Sequence, residues 1–140
     1  MELDKLTEKI IGCAYDVSNT LGSGFVEKVY ENAMMRRAIK AGLDAIQQYQ
    51  MKVIYDEIIV GDFFADLLIE ELVLVELKAV RELEDIHVAQ AMNYLKASGL
   101  PVCLLINFGR PRIEVRHLVP YDVWKKQSRP QPQYIHRKPR

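Results

Sequence analysis

The segment LVLVELKAV, residues 72–80, constrains how this chain folds more than any other, because two charged residues interrupt an otherwise apolar run. Its seven apolar residues are typical of an interior strand that is covered on both faces. Glu76 and Lys78 are two positions apart, and residues with that spacing share one face of a strand. Removing charges from water carries a large cost in free energy. The fold must therefore provide partners or a ligand that offset the cost of burying the charges of Glu76 and Lys78.

Apolar periodicity predicts the elements around this segment. Steps of three and four residues indicate three helices, over about 3–19, from Phe25 to a stop at Gly42, and over about 84–98. Segments rich in Val, Ile, Tyr and Phe indicate five strands, near 47–55, 58–69 and 72–80, in PVCLLINFG and, at an edge, in RIEVRHL. The first three strands connect as a meander, and a crossover helix then permits parallel pairing with the fourth. We therefore predict an α/β domain in which helices flank a mixed β-sheet.

The charge of the chain is divided unevenly between a body and a tail. Residues 1–124 hold 13 basic and 19 acidic residues, a net charge of −6, and we expect them to form a single domain that ends in a short turn around Trp124. Residues 125–140 hold six Lys or Arg residues, no acidic residue and several Pro and Gln, which predicts an extended or disordered tail. Such a tail either contacts phosphate groups without reading sequence or is a solvated terminus, and both interpretations stay open.

Hydropathy and cysteine content indicate the cellular compartment of the protein. No apolar run approaches the roughly 20 residues that span a bilayer. The N-terminus also lacks the basic start and apolar stretch of a secretion signal. Cys13 and Cys103 lie far apart within apolar segments, which favours two buried, reduced thiols over a disulfide. We therefore expect a cytoplasmic protein that does not enter a membrane.

Asp66 is the carboxylate on the preceding predicted strand that could meet Glu76, and the turn between the two strands decides whether it does. A two-residue loop at Glu70 and Glu71 pairs position 66 with position 75 and sends the two carboxylates to opposite faces. A three-residue loop, or a bulge, pairs Asp66 with Glu76 and places both on one side. A shared site therefore requires the odd-length loop or the bulge.

With that register, Asp66, Glu76 and Lys78 form one polar patch on the sheet. Two neighbouring carboxylates repel each other unless a proton or a cation lies between them. Oxygen ligands with open positions suit Mg²⁺ or Mn²⁺, which can lower the pKa of bound water and stabilise charge on a phosphodiester. The alternative is an ion pair between Glu76 and Lys78 on a strand face open to water. These residues alone leave both interpretations open.

Two motifs carry a resemblance to a nuclease superfamily. Asp66 followed by Glu76 and Lys78 resembles the D…(D/E)-x-K signature of the PD-(D/E)xK nuclease superfamily. Gln90 and Tyr94, one helical turn apart in QAMNY, are similar to the Q-x-x-x-Y element of its RecB-like branch. The residue before Asp66 is Ala rather than the Pro of the superfamily's name, a departure that is common.

Further segments resemble one family within that superfamily. GFVEKVYENA matches the pattern of the GxxExxY protein family, with Gly24, Glu27 and Tyr30 in the named positions. HVAQAMNYLKASGL and LLINFG are similar to later segments of the same family. The resemblance covers about residues 5–120.

This resemblance implies a restriction-endonuclease-like core and a set of site residues. Asp66 and Glu76 are the implied ligands of Mg²⁺ (or Mn²⁺), with the Leu77 carbonyl as a further oxygen, and Lys78 is the implied catalytic lysine. Glu27 matches a helix carboxylate that completes the metal site or orients water. Gln90 and Tyr94 are implied to support the site and to contact substrate.

The helical residues of the implied site also have ordinary structural explanations. Glu27 stabilises the start of a helix through its free amides and dipole. Tyr30 and Tyr94 suit core positions in which their hydroxyls are hydrogen-bonded. Gln90 needs a partner if it is buried. Glu31, one turn after Glu27, either shares its face or is solvated.

The function implied is a metal-dependent nuclease that hydrolyses nucleic-acid phosphodiester bonds, with DNA favoured over RNA. The alternative is a catalytically silent nuclease-fold module that binds nucleic acid or protein, which the acidic body favours. A homodimer stays open, and no particular protein partner is indicated. Other chemistries fit less well, since GSG is not followed by the Lys and Ser or Thr of a phosphate loop. The three His residues also lack zinc-like spacing to the cysteines.

Overall fold

The computed structural model of the chain describes residues 2–120 and 133–136. Within these ranges the elements are α1 (Leu3–Leu21), α2 (Glu27–Lys40), β1 (Ala45–Tyr55), β2 (Ile58–Ile69), β3 (Val73–Lys78), α3 (Asp85–Ser98), β4 (Val102–Asn107), β5 (Glu114–Leu118) and β6 (Gln133–His136). The strands form one sheet in the order β5-β4-β3-β2-β1-β6. β3 and β4 are parallel, and all other neighbours are antiparallel. The predicted α/β fold, with a meander, a crossover helix and a mixed sheet, is confirmed.

Part of the predicted tail lies within the described residues. β6 belongs to it and pairs antiparallel with residues 51–54 of β1, so it extends the sheet at the edge opposite β5. The predicted turn at Trp124 and the other tail residues lie outside the described ranges.

The two N-terminal helices cover one face of the sheet. The apolar stripe predicted for α1 is buried, and Leu6, Ile10 and Ala14 have no exposed surface. Met34 and Ala38 of α2 are equally buried. With the inward side chains of the central strands these residues form the first core cluster, which fixes α1 and α2 against the sheet.

α3 covers the other face of the sheet. Ile86, Ala89, Gln90, Asn93 and Tyr94 are spaced at three or four residues and share one side of the helix, but most of that side is open to solvent: the first four are exposed and Tyr94 is buried only in part. The second core cluster instead takes the other stripe of α3, including Ala91 and Leu95. The Gln90 stripe is therefore available to a site.

The two cysteines follow expectation within residues 2–120. Cys13 and Cys103 are both buried and free, as predicted. Among the residues that the structure describes, no helix combines the length and the apolar character needed to cross a membrane.

The turn between β2 and β3 has the length that a shared carboxylate site requires. Ile69 pairs with Val73, which leaves the three residues 70–72 as the loop. The same register places Asp66 opposite Glu76. The odd-length loop that a shared site of Asp66 and Glu76 requires is therefore present.

Candidate active site

Asp66 and Glu76 meet where the paired part of β2 and β3 ends. The regular ladder stops at Leu67 and Val75. Beyond it the backbone amide of Asp66 donates to Glu76 Oε1 at 3.0 Å, and the amide of Leu77 donates to Asp66 Oδ2 at 2.8 Å. Each strand therefore binds the carboxylate of the other, which holds the two acidic groups side by side.

Both carboxyl groups lie in surroundings that disfavour their charge. Glu76 is only 5% exposed, and Asp66 is half-buried. Burial raises the pKa of Asp66 to about 6, against the opposing effect of the Leu77 amide, and the charge of Glu31 adds to the increase. Burial, and next the charge of Asp66, raise the pKa of Glu76 well above its ordinary value. The pair is costly to ionise without a compensating cation.

The remaining oxygens of the pair can accept a cation. Asp66 Oδ1 and Glu76 Oε2 accept no hydrogen bond from the described residues. No completely buried side-chain oxygen in the described part of the chain lacks a partner, so neither of these two atoms is an unsatisfied oxygen sealed inside the protein. Carboxylate oxygens are the donors that Mg²⁺ and Mn²⁺ prefer, and one or two carboxylates often suffice because water and substrate supply the rest. The donor set therefore fits a divalent cation.

Glu27 lies near this pair without forming a closed site with it. It is exposed in the first turn of α2, where its charge also suits the helix dipole. Its charge contributes to the raised pKa of both Asp66 and Glu76, which places it in their vicinity. Within the described ranges, however, no group of three or more His, Cys, Asp or Glu side chains is arranged to hold a metal ion. The preformed part of the site is the pair alone.

Lys78, Gln90 and Tyr94 form a hydrogen-bonded row beside the pair. Lys78 Nζ donates to Gln90 Oε1 at 3.3 Å, and Gln90 Nε2 donates to the Tyr94 hydroxyl at 3.4 Å. In the described part of the chain Lys78 forms no ion pair with either carboxylate. Because Glu76 is buried and not paired with Lys78, the alternative of a solvated ion pair on an open strand face is wrong.

Glu31 is a polar residue near the site that the sequence left undecided between a shared face and solvation. It is 5% exposed and accepts hydrogen bonds from Lys28 Nζ at 2.9 Å, Gln47 Nε2 at 2.7 Å and Gln48 Nε2 at 3.0 Å. Burial opposes its ionisation, but these three donors together lower the pKa of Glu31. The solvated alternative is therefore wrong, and the signal available in the sequence was the one-turn spacing from Glu27.

Gln48 marks a distortion of the sheet opposite Asp66. Its φ of 55° is left-handed, and the ladder between β1 and β2 skips this position. On one side of it Leu67 joins the first core cluster, whereas on the other side Tyr49 and Ala65 join the second. The long hairpin thus changes its packing face at Gln48 and Asp66. A left-handed conformation costs a non-glycine residue about 1–3 kcal/mol, and no sequence signal marks it.

Tyr30 holds the segment that leads into α2 and Glu27. It is fully buried and stacks on Phe108 with ring centroids 4.7 Å apart. Its hydroxyl donates to the Gly22 carbonyl at 2.6 Å and accepts from the Phe25 amide at 3.3 Å. The interpretation of Tyr30 as a core residue with a satisfied hydroxyl is confirmed.

Comparison with known proteins gives one match. A family model described as the PD-(D/E)XK nuclease superfamily matches residues 4–118. No curated protein and no solved structure matches the chain. The matched range contains all six residues of the candidate site, which are Glu27, Asp66, Glu76, Lys78, Gln90 and Tyr94.

Proposed function

Because the chain belongs to the PD-(D/E)XK nuclease superfamily, we propose that it is a nuclease that hydrolyses phosphodiester bonds with Mg²⁺ or Mn²⁺ held by Asp66 and Glu76. Members of the superfamily generally use divalent metal ions. The observation that carries the proposal is the reciprocal hydrogen bonding that holds two half-buried or buried carboxylates together at the end of the β2–β3 ladder. Such an arrangement is stable only if a proton or a cation offsets the repulsion.

Each candidate residue has a part that follows from its position. Asp66 and Glu76, with the carbonyl of Leu77, would hold the cation, which would make a bound water molecule more acidic and stabilise charge on the phosphodiester. Lys78 is half-buried and oriented by Gln90. Its protonated form would contribute positive charge beside the phosphate, whereas its neutral amine would accept a proton from the attacking water.

The helical residues act around this centre. Glu27, exposed at the start of α2, orients water toward the carboxylate pair. Gln90 places Lys78, and Tyr94 supports Gln90 through its hydroxyl. Gln90 and Tyr94 also lie on the open stripe of α3, where they can contact substrate.

The assignments of subfamily, substrate, cation, domain, compartment and assembly rest on the sequence. Gly24, Glu27 and Tyr30 support placement in the GxxExxY family. We favour DNA over RNA as the substrate and Mg²⁺ (or Mn²⁺) as the cation. Residues 1–124 are proposed to act as one nuclease-like domain, in the cytoplasm, and a homodimer stays open as an assembly.

The test is cleavage of labelled single-stranded, duplex and branched nucleic acids with Mg²⁺, Mn²⁺ or chelator. We expect cleavage that requires the cation and is lost in Asp66→Ala and in Lys78→Ala. Asp62→Ala is the matched control, because Asp62 is an exposed aspartate on the same strand. Cleavage at the wild-type rate in both Asp66→Ala and Lys78→Ala, with folding verified, would rule out these roles.

The second candidate function is a silent module that binds without cleaving, which the net charge of −6 on residues 1–124 favours. An acidic surface weakens binding to phosphates, on which a nuclease depends to hold its substrate. Saturable Mg²⁺ binding that Glu76→Gln abolishes would support the nuclease. Nucleic-acid binding with neither cleavage nor cation binding would support the module.

A further inference from the structure

We propose that a cavity at the carboxyl ends of β3 and β4 binds a phosphate group of the nucleic acid other than the one that is cleaved. This inference rests on the proposed function and adds a substrate subsite to it. The cavity has a volume of about 310 Å³ and is called the arginine cavity below. Its lining consists of Arg81 and Glu82 from the loop after β3 and of Gly109, Arg110 and Pro111 from the loop after β4.

Backbone contacts hold the two loops of the arginine cavity against each other. Gly109 lies so close to Val80 that a Cβ atom on Gly109 would overlap the Val80 backbone. A single oxygen, Asn107 Oδ1, also accepts from the amides of both Val80 and Gly109, at 3.0 and 2.9 Å. Arg81 and Arg110 directly follow these two residues in the chain. Their backbones are therefore held side by side before any ligand binds.

The arginine cavity lies at the end of the sheet that carries Lys78, and on the same face. Lys78 ends β3 and pairs with Asn107, which ends β4, and directly paired residues point to one face of a sheet. Glu114 pairs with Asn107 from the other side and accepts from its side-chain amide at 2.9 Å. The Arg110 guanidinium lies 3.7 Å from the Glu114 carboxylate. Since Arg81 follows Lys78 by three residues, their Cα atoms are at most about 11 Å apart.

Both guanidinium groups of the cavity can bind an anion. Arg81 and Arg110 are exposed, and in the described part of the chain Arg81 forms no ion pair. The 3.7 Å contact between Arg110 and Glu114 is too long for a hydrogen bond, so it leaves the N–H groups of Arg110 available. A guanidinium group binds a phosphate through two parallel hydrogen bonds. Two such groups on one small cavity therefore suit a phosphate.

The charge of the other described residues makes a local cationic site necessary for a polyanionic substrate. Residues 2–120 hold 13 Lys or Arg and 18 Asp or Glu residues, so most of this surface repels phosphates. Lys28, Arg37 and Lys52 are in ion pairs with carboxylates at 3.0 Å or less. Contacts of Lys and Arg with phosphates supply most of the sequence-independent affinity for nucleic acid. The arginine cavity provides such contacts within reach of Lys78.

Glu82 allows the proposal to be tested with a change of opposite sign. It lines the same cavity as the two arginines and is exposed. Its carboxylate repels a phosphate in the cavity, so its neutral replacement should strengthen binding. Removal of a positive and of a negative charge from one cavity should thus change the affinity in opposite directions.

The test measures binding of labelled single-stranded and duplex oligonucleotides by fluorescence anisotropy at several salt concentrations, with Ca²⁺ in place of Mg²⁺. Arg81→Gln and Arg110→Gln should each weaken binding about threefold to thirtyfold. The double variant should reduce the slope of log affinity against log salt concentration by about 0.7–1, the value for one phosphate. Glu82→Gln should strengthen binding about twofold to fivefold.

Two control variants make the same charge changes away from the cavity. Arg36→Gln removes an exposed arginine of α2, which covers the opposite face of the sheet. Glu71→Gln removes an exposed carboxylate in the β2–β3 loop, at the other end of β3. Both should keep the affinity within about twofold of the wild type, because salt screens distant charges. Strands with and without a 5′-phosphate distinguish a terminal phosphate in the cavity from a backbone phosphate.

Unchanged affinity and salt slope in both arginine variants would overturn the inference. Losses equal to that of Arg36→Gln, or an effect on oligomeric state alone, would also overturn it, the latter in favour of an acidic protein partner. Cleavage by the wild type alongside such results leaves the proposed nuclease intact. Affinity that depends on both arginines, without cleavage under any cation, would instead support the phosphate site and reject the nuclease. Circular dichroism and thermal unfolding verify the fold of each variant.

Discussion

The side-chain amide of Asn107 binds both backbone groups of Val80, accepting from its N–H at 3.0 Å and donating to its carbonyl at 2.9 Å. Asn107 is fully buried and lies beside Lys78 in the parallel pairing of β3 and β4. It also accepts from the Gly109 amide and donates to Glu114, both at 2.9 Å. Asn107 therefore fixes the chain two residues after the proposed catalytic lysine.

Replacing Asn107 should destabilise the fold strongly. Asn107→Leu leaves the amide and the carbonyl of Val80 without these partners, which lowers the free energy of unfolding by about 2–4 kcal/mol. Urea denaturation measures the change. Asn32→Leu, at an exposed asparagine with one hydrogen bond to Gln47, should stay within about 0.5 kcal/mol of the wild type. Equal effects of the two variants would contradict this role of Asn107.

Alanine at two glycines should change stability in opposite directions. A methyl group on Gly109 would overlap the backbone of Val80, so Gly109→Ala must displace the chain after β3 and should reduce both stability and cleavage. Gly12 lies within α1 with no heavy atom near the added carbon. Gly12→Ala should therefore stabilise the protein by about 0.5–1 kcal/mol. Thermal unfolding of the pair is the measurement, and a neutral Gly109→Ala would disprove the close approach.

Magnesium should stabilise the folded protein through the carboxylate pair. A ligand that binds only the folded state at a hundred times its dissociation constant adds about 2.7 kcal/mol, so the Tm should rise by several degrees in Mg²⁺ and fall back in chelator. Glu76→Gln should abolish the increase. Glu71→Gln, at an exposed carboxylate in the β2–β3 loop, should retain it, and an increase that persists in both variants would show that the cation binds elsewhere.

In chelator, Asp66→Asn should be more stable than the wild type at pH 8. The folded pKa of Asp66 is raised to about 6, so between its ordinary value and pH 6 the folded state binds more protons than the unfolded state. Wild-type stability therefore falls as the pH rises through this window. With allowance for partial exposure, the variant should gain about 1–3 kcal/mol at pH 8 and lose this advantage near pH 4.

Saturating Mg²⁺ should reverse that order at pH 8. The cation favours the charged form of the wild-type carboxylate, whereas the neutral amide introduced by Asp66→Asn is a weaker ligand for it. Urea denaturation at pH 4 and pH 8, with and without Mg²⁺, measures the difference in unfolding free energy between the wild type and Asp66→Asn under each of the four conditions. A wild type that is more stable than Asp66→Asn in chelator at pH 8 would show that burial does not penalise this carboxylate.

Local patterns predicted most of the elements because their signals are short-range. The stripe from Leu6 to Ala14 gives α1 its period, and alternating or apolar segments with turn residues between them mark the strands. The sequence did not fix the register of Asp66 with Glu76, because it was compatible with two loop lengths. One length places the two carboxylates on the same face of the sheet, and the other places them on opposite faces. Hydrogen bonding across the loop settled it in favour of three residues.

Other features had no local signal. The spacing of Ile86, Gln90 and Tyr94 marked a stripe of α3, but which stripe is buried depends on where the sheet lies. Burial of Glu31 depends on Gln47 and Gln48, which are 16 and 17 residues away. Their side chains become its donors only once α2 packs beside β1.

The order of side chains along the chain determined which elements form and which residues carry charge into the sheet, because backbone geometry repeats every two or 3.6 residues. Only the tertiary structure decided that Glu76 is buried against Asp66 rather than paired with Lys78, that Gln48 reverses the packing face of the hairpin, and that Asn107 anchors Val80. The reason is physical: burial, electrostatic fields and hydrogen-bond partners are set by segments far apart in sequence. They take effect only when those segments exclude water together.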